Sequence, residues 1–285
     1  MTEVHGEPSG QWARPGAARR EPVDLRTDQP HSARMYDYYL GGKDNFPADR
    51  AAAEQVLESF PHTRIAAREN RAFMARAARY LAAEVGIRQF LDIGTGIPTS
   101  PNLHEVAQEV APESRVLYAD NDPIVLTHAR ALLTSTREGR TGYLDADLRE
   151  PRSILDSAEL AETLDLSRPV ALSLIAVLHF FPDSDDPHGI LRQLLEPLPS
   201  GSYVAITSAT PDFAPRVWAR ISEIYREQGI NGQLRTREQF TRFFDGLDLV
   251  DPGVTPVHHW RPDGDLPAAL TDAQVSVYGA VARKP

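Results

Sequence analysis

Phe90-Leu91-Asp92-Ile93-Gly94-Thr95-Gly96-Ile97-Pro98 decides how the rest of this chain is read. The apolar run from Phe90 to Ile93 predicts a buried strand, and the glycines break it into a tight turn that lets a ligand approach the backbone. Ser100-Pro101 then predicts an N-cap followed by proline at the first helical position. The helix it opens carries Leu103, Val106, Ala107 and Val110 on its apolar face. Strand, glycine turn and helix N-terminus together build a nucleotide-type site at the carboxyl edge of a parallel sheet.

Two residues argue against a dinucleotide. A GxGxxG fingerprint needs a third glycine where this chain has Thr99, and Asp92 would repel a pyrophosphate. The same carboxylate suits a ligand carrying an ammonium group. Asp92-Ile93-Gly94-Thr95-Gly96 resembles the D-x-G-x-G first motif of class I S-adenosylmethionine (SAM)-dependent methyltransferases. That resemblance implies SAM as cofactor, S-adenosylhomocysteine as product and a Rossmann-like sheet.

The downstream acids agree. Arg115 to Asp120 predicts a second strand ending in a carboxylate 26 residues past Gly94. A carboxylate at that tip can accept hydrogen bonds from both ribose hydroxyls. Asp122-Pro123 predicts the cap of the next helix, and Gly142 to Asp147 a third short strand and loop. By resemblance, Asp147 receives the adenine amino group, with Ala146 beside the ring. Pro169 to Ile175 is continuously apolar, as a buried parallel strand should be. It runs into Ala176 to Pro182, which resembles the loop next to the transferred methyl. The cofactor set so implied is Asp92, Gly94, Thr95, Gly96, Asp120, Asn121, Asp147, Leu148 and Ile175.

The chain organises around this core. Residues 1–30 hold prolines among Gly, Arg and Ala without periodicity and predict a mobile tail. Residues 31–86 predict an N-terminal helical cap, with Ile65, Ala72, Phe73, Ala77, Tyr80 and Leu81 on one helix face. Residues 87–285 predict an α/β, doubly wound, Rossmann-like core. Its seven strands lie near 89–93, 115–119, 141–145, 169–175, 203–208, 248–258 and 275–283. The sheet is mostly parallel with an antiparallel last strand. A helical insertion is expected at about 212–245, where Thr236 to Gln239 forms a capping box before Phe240, Phe243 and Phe244.

The segment Ala33 to Phe46 (ARMYDYYLGGKDNF) is unusual: three tyrosines, a glycine pair and one of only two lysines in the chain. With Asn70-Arg71, Gln89 to Thr99 and Asp120 to Pro123, it resembles an actinobacterial family of SAM-dependent methyltransferases with no assigned substrate. The segment is expected to be a lid hinged at Gly41-Gly42. Tyr38 is assigned to the cofactor, where an aromatic face stabilises a sulfonium, and Tyr36 to the acceptor.

A net charge of −10 and a pI near 5.4 disfavour a nucleic-acid surface. Without cysteine there is no disulfide framework. No apolar run reaches the ~18 residues of a membrane span, and no N-terminal run resembles a signal peptide, so a cytoplasmic enzyme is expected. No metal is expected: Asp186-Pro187 repeats the cap-proline pattern within the Asp183, Asp185, Asp186 cluster. His258 and His259, read as neighbours in a strand, would face opposite ways. His179, after the fourth strand, is the candidate general base, weighed against a role as pocket wall. The acceptor is expected to be a flat or apolar small molecule methylated on oxygen or nitrogen, held by Tyr36, Phe180, Phe181 and Trp218. The competing readings are a SAM-binding regulator without catalysis and an NAD-dependent oxidoreductase.

Overall fold

The computed structural model describes residues 25–132, 134–264 and 270–285; most of the expected N-terminal tail, residues 1–24, lies outside the described residues. Three helices come first: α1 (Ser32–Leu40), α2 (Pro47–Ser59) and α3 (Thr63–Tyr80). Strands β1 (Gln89–Ile93), β2 (Arg115–Asp120), β3 (Arg140–Asp145), β4 (Ala171–Leu174) and β5 (Tyr203–Ala209) pair in parallel in the order β3-β2-β1-β4-β5. The crossovers are α4 (Leu103–Val110), α5 (Pro123–Leu132), α6 (Pro151–Leu155) with α7 (Ala158–Thr163), and α8 (Pro187–Leu195). Then come α9 (Pro215–Glu227), α10 (Arg237–Thr241), the short strands β6 (Asp248–Leu249) and β7 (Thr255–Pro256), α11 (Asp272–Val275) and β8 (Val277–Arg283). Strand β8 runs antiparallel to β5 and pairs with β6 and β7 on its far side. The strand order reverses between β1 and β4, which opens the crevice where such sheets bind ligands.

Alternation along the strands puts a core on each face. Phe90, Val116, Tyr118, Ala171, Ala205 and Val281 face α3, α4 and α9. Leu91, Ile93, Leu117, Leu172, Leu174, Val204, Ile206 and Ala282 face α6, α7, α8 and α10. Both faces being covered, the central strands carry no polar face and read as continuous apolar runs.

The structure corrects two local expectations. The sixth strand, expected over 248–258, is two short strands separated by a turn in which the Gly253 N–H donates to the Val250 carbonyl (2.8 Å). Pro252 and Pro256 have no N–H to give a ladder, so the strand breaks there and the sheet has eight strands. Residues Val257–His259 then form a 3₁₀ turn. Helix α4 starts at Leu103, two residues later than expected, and its cap is Asn102, whose N–H is held by Glu105 Oε2 at 2.7 Å. Elsewhere the caps lie where the sequence places them: Asp122 Oδ1 accepts from the Ile124 N–H, Asp186 from Gly189 and Thr236 from Gln239.

Candidate functional site

A cavity of about 780 Å³ lies at the carboxyl ends of the parallel strands, running from residues 25–34 across the glycine turn to α9. Gly94 and Gly96 take φ of 73° and 67°, values that favour glycine. A Cβ on Gly94 would also lie 2.6 Å from a methyl of Val177. Asp120 clamps the turn: its Oδ2 accepts from the Gly96 N–H (2.8 Å) and its Oδ1 from the Asp122 N–H (2.9 Å). Thr95 Oγ1 donates to the Asp92 carbonyl. On the far side of the turn, Arg71 of α3 donates to the carbonyls of Thr99 and Pro101. The turn is therefore built rigid before any ligand arrives.

Its electrostatics ask for a cation. Asp92 is buried, and desolvation raises its pKa to about 6; Ser173 and the distant charge of Arg71 oppose that shift and do not cancel it. No side chain among the described residues forms a salt bridge to it. Burial likewise raises the pKa of Asp120, against the two N–H bonds that lower it. Asp147 accepts from Asn121 Nδ2 (3.2 Å) and from the Arg149 N–H (2.8 Å), beside buried Ala146 and Leu148. A ligand bearing an ammonium at one end and a hydroxylated ring at the other fits this donor and acceptor set. A pyrophosphate does not.

The loop after β4 forms the next wall. Ala176 is strained at φ 57°, and its N–H is tied to Thr207 Oγ1 (2.8 Å). Arg235, almost fully buried, donates to the carbonyls of Leu178 and Phe181 and pairs with Asp183 at 2.7 Å. His179 packs on Phe180 with ring centroids 4.3 Å apart, and its Nδ1 is buried without a hydrogen bond. Desolvation, helped by the charge of Arg235, lowers its pKa to about 4. Beyond it, Phe180 meets Tyr225 of α9 edge-on, and Trp218 packs on Phe60.

The cavity thus brings together Asp92, Gly94, Thr95, Gly96, Asp120, Asn121, Asp147, Leu148, Ile175, His179, Tyr36, Phe180, Phe181 and Trp218. Tyr38 is not among its walls. On α1 it turns about 200° from Tyr36; its hydroxyl bonds Glu54 and the Arg64 guanidinium lies over its ring at 4.9 Å. Tyr39 lines the cavity instead, near Tyr225. Gly42 has a packing reason of its own: a Cβ there would fall 1.9 Å from the Asp37 carboxylate, which also accepts from the Asp44 N–H and Asn45 Nδ2 and ties the turn to α1.

Sequence reasoning missed a strap. Leu25, Arg26, Gln29 and Pro30, inside the expected tail, line the cavity. Buried Arg34 holds the strap through the carbonyls of Leu25, Arg26 and Gln29, and pairs with Asp49 at 3.0 Å. His31 Nδ1 lies 3.0 Å from Asp122 Oδ2, closing the strap onto the tip of β2. The arginine inside the tyrosine-rich segment was the available signal, but arginine is so common here that it did not stand out.

Comparison with known proteins identifies the family and the fold. Residues 18–285 match the family model described as S-adenosyl methyltransferase. A DUF574 family protein from Streptomyces avermitilis is 55% identical, with 92% of this chain and 100% of that chain covered and a TM-score of 0.90. A protein from Thermobifida fusca, provisionally described as a methyltransferase, is 39% identical over 94% of this chain and 99% of that one, with a TM-score of 0.85. The plantazolicin methyltransferase BamL, at 10% identity over 89% of this chain and 96% of its own, shares the fold, with a TM-score of 0.52. No curated protein matches. No helix among the described residues is long and apolar enough to cross a membrane.

Proposed function

This chain belongs to the S-adenosyl methyltransferase family, and from that premise we propose that it methylates an uncharged, flat or apolar small molecule on oxygen or nitrogen. The observation that carries the acceptor class is the continuity of the cavity with a wall of Tyr36, Tyr39, Phe180, Trp218, Ile221 and Tyr225. Such a wall desolvates the acceptor and offers a charged one no counter-ion.

SAM supplies a methyl group activated on its sulfonium. Asp92 binds the ammonium end of the cofactor, while Gly94, Thr95 and Gly96 give it backbone at close range. Asp120, with lone pairs left after its two N–H bonds, accepts from the ribose hydroxyls. Asn121, Asp147 and Leu148 would hold the adenine, and Ile175, just past the end of β4, would lie toward the methyl. Phe180, Phe181 and Trp218 hold the acceptor and exclude water, so catalysis rests on alignment and desolvation. His179, at a pKa of about 4, is poorly matched to proton abstraction near neutrality. We assign it to the wall. With no base at hand, the reaction suits an acceptor that attacks as a neutral nitrogen more readily than one that attacks as an oxygen, and the methylated product loses its proton to solvent after the transfer.

The test is incubation of the protein with an actinobacterial extract and SAM carrying a trideuterated methyl, read by mass spectrometry. The expected result is label in a small, uncharged, aromatic or apolar molecule. Label confined to protein or nucleic acid would overturn the acceptor class.

A further inference from the structure

Away from the cavity, His258, His259 and Asp272 converge. The two histidines were expected to face opposite ways from a strand, but Pro256 ends β7 and Val257–His259 turns as 3₁₀, which swings both rings to one side. Their ring centroids lie 4.0 Å apart. His259 Nε2 is 2.8 Å and His258 Nε2 3.2 Å from the same oxygen, Oδ1 of Asp272, and the three ligand atoms lie within 4.8 Å of one another.

His258 is the telling member. Its side chain is fully buried, yet neither ring nitrogen has a hydrogen bond, so Nε2 faces the shared oxygen without the alignment of a donor. A buried polar side chain left unpartnered costs stability unless something else completes it. The three groups also sit on fixed backbone. Val257 and Trp260 are fully buried on either side of the histidines, and Arg76 donates to both of their carbonyls. Asp272 lies in the first turn of α11 behind the Thr271–Gln274 capping box.

We propose that His258, His259 and Asp272 form a divalent transition-metal site, suited to zinc. Two imidazole nitrogens and one carboxylate oxygen are a ligand set zinc accepts, and tetrahedral ligands around zinc lie ~3.3 Å apart. The two nitrogen-to-oxygen separations, 2.8 and 3.2 Å, are within a few tenths of an ångström of that value, and the two nitrogens lie within 4.8 Å of each other. His259 and Asp272 are each about two-fifths exposed, which leaves the fourth position to water. The ion would fasten the turn after β7 to α11. Helix α11 feeds β8, whose first residue, Val277, lines the cavity.

The test uses the tag-free full chain after chelator treatment, titrated with Zn²⁺ by calorimetry and with Co²⁺ by visible absorption. The expected result is one equivalent bound, a tetrahedral Co²⁺ spectrum and a Tm raised by several degrees with Zn²⁺. His259→Ala and Asp272→Asn, both at partly exposed positions, should abolish all three effects while S-adenosylhomocysteine affinity stays unchanged. Absence of binding by the wild type at micromolar metal, or equal binding in the two variants, would overturn the proposal.

Discussion

Cofactor affinity should depend on pH through Asp92. Its carboxyl titrates at about 6 in the free protein because it is buried without a salt bridge. Binding an ammonium needs the ionised form, so below pH 6 a proton must leave as the ligand enters. Roughly nine-tenths of the carboxyls are ionised at pH 7 and one-tenth at pH 5, so affinity should fall about tenfold between them, or about 1.4 kcal/mol. Above pH 7 it should stay level until the ligand's own ammonium titrates. The same shift acts on the empty protein. A raised carboxyl pKa disfavours folding as pH rises from 3.8 through 6, at a cost of about 3 kcal/mol near neutrality. Asp92→Asn should therefore stabilise the free protein and weaken S-adenosylhomocysteine binding by about 1.5–3 kcal/mol, with the pH dependence gone. Calorimetry at pH 5, 6 and 7 in buffers of differing ionisation enthalpy measures both affinity and proton release. Wild-type affinity flat across that range, or an Asn variant keeping the slope, would refute the reasoning.

Other expectations follow from the same geometry. Gly94→Ala should lose cofactor binding and cost about 1–3 kcal/mol in urea unfolding, through its positive φ and the clash with Val177; because the Val177 Cβ as well as a methyl lies in the way, at 2.9 Å, adding Val177→Gly should recover only the clash. Removing residues 1–30 should weaken S-adenosylhomocysteine binding by calorimetry, because it deletes the strap and the three carbonyls that Arg34 binds; affinity unchanged would show the strap to be incidental. His179 takes its proton at about 4 when folded, against 6.5 unfolded, so stability should be lost as pH falls from 6.5 towards 4, by about 3 kcal/mol in all. Urea unfolding at pH 7 and 4.5 should show a smaller loss in His179→Gln than in the wild type. Phe73→Ala, at a fully buried ring 5.2 Å from Trp260, should cost about 3–5 kcal/mol in the same assay.

What the sequence disclosed and what it hid divide along a physical line. The glycine turn, the acids at the tips of β1, β2 and β3, and the caps at Asp122, Asp186 and Thr236 are local features. Residues within a few positions of each other dictate them, and the structure has them where the residues say. In the site, the misses lie where the folded backbone decides what a side chain meets. Tyr38 has the chemistry for a sulfonium, but the helical turn gives the cavity to Tyr36 and Tyr39. Gly41-Gly42 looks like a hinge until Asp37, five residues before Gly42, fills the space that a side chain there would need. The strap over the cofactor end depends on Arg34 reaching back to three carbonyls, which no periodicity reveals. Arg71 and Arg235 behave alike: each neutralises no acid buried in the cavity but binds the carbonyls of the two loops that shape it. In a chain with 30 basic residues, nearly all arginine, such structural guanidiniums are indistinguishable in sequence from solvated ones. Their positions matter because loop carbonyls beside a water-poor cavity must find donors from the protein itself. That requirement explains why two arginines lie at the edges of an apolar pocket without making it a site for anions.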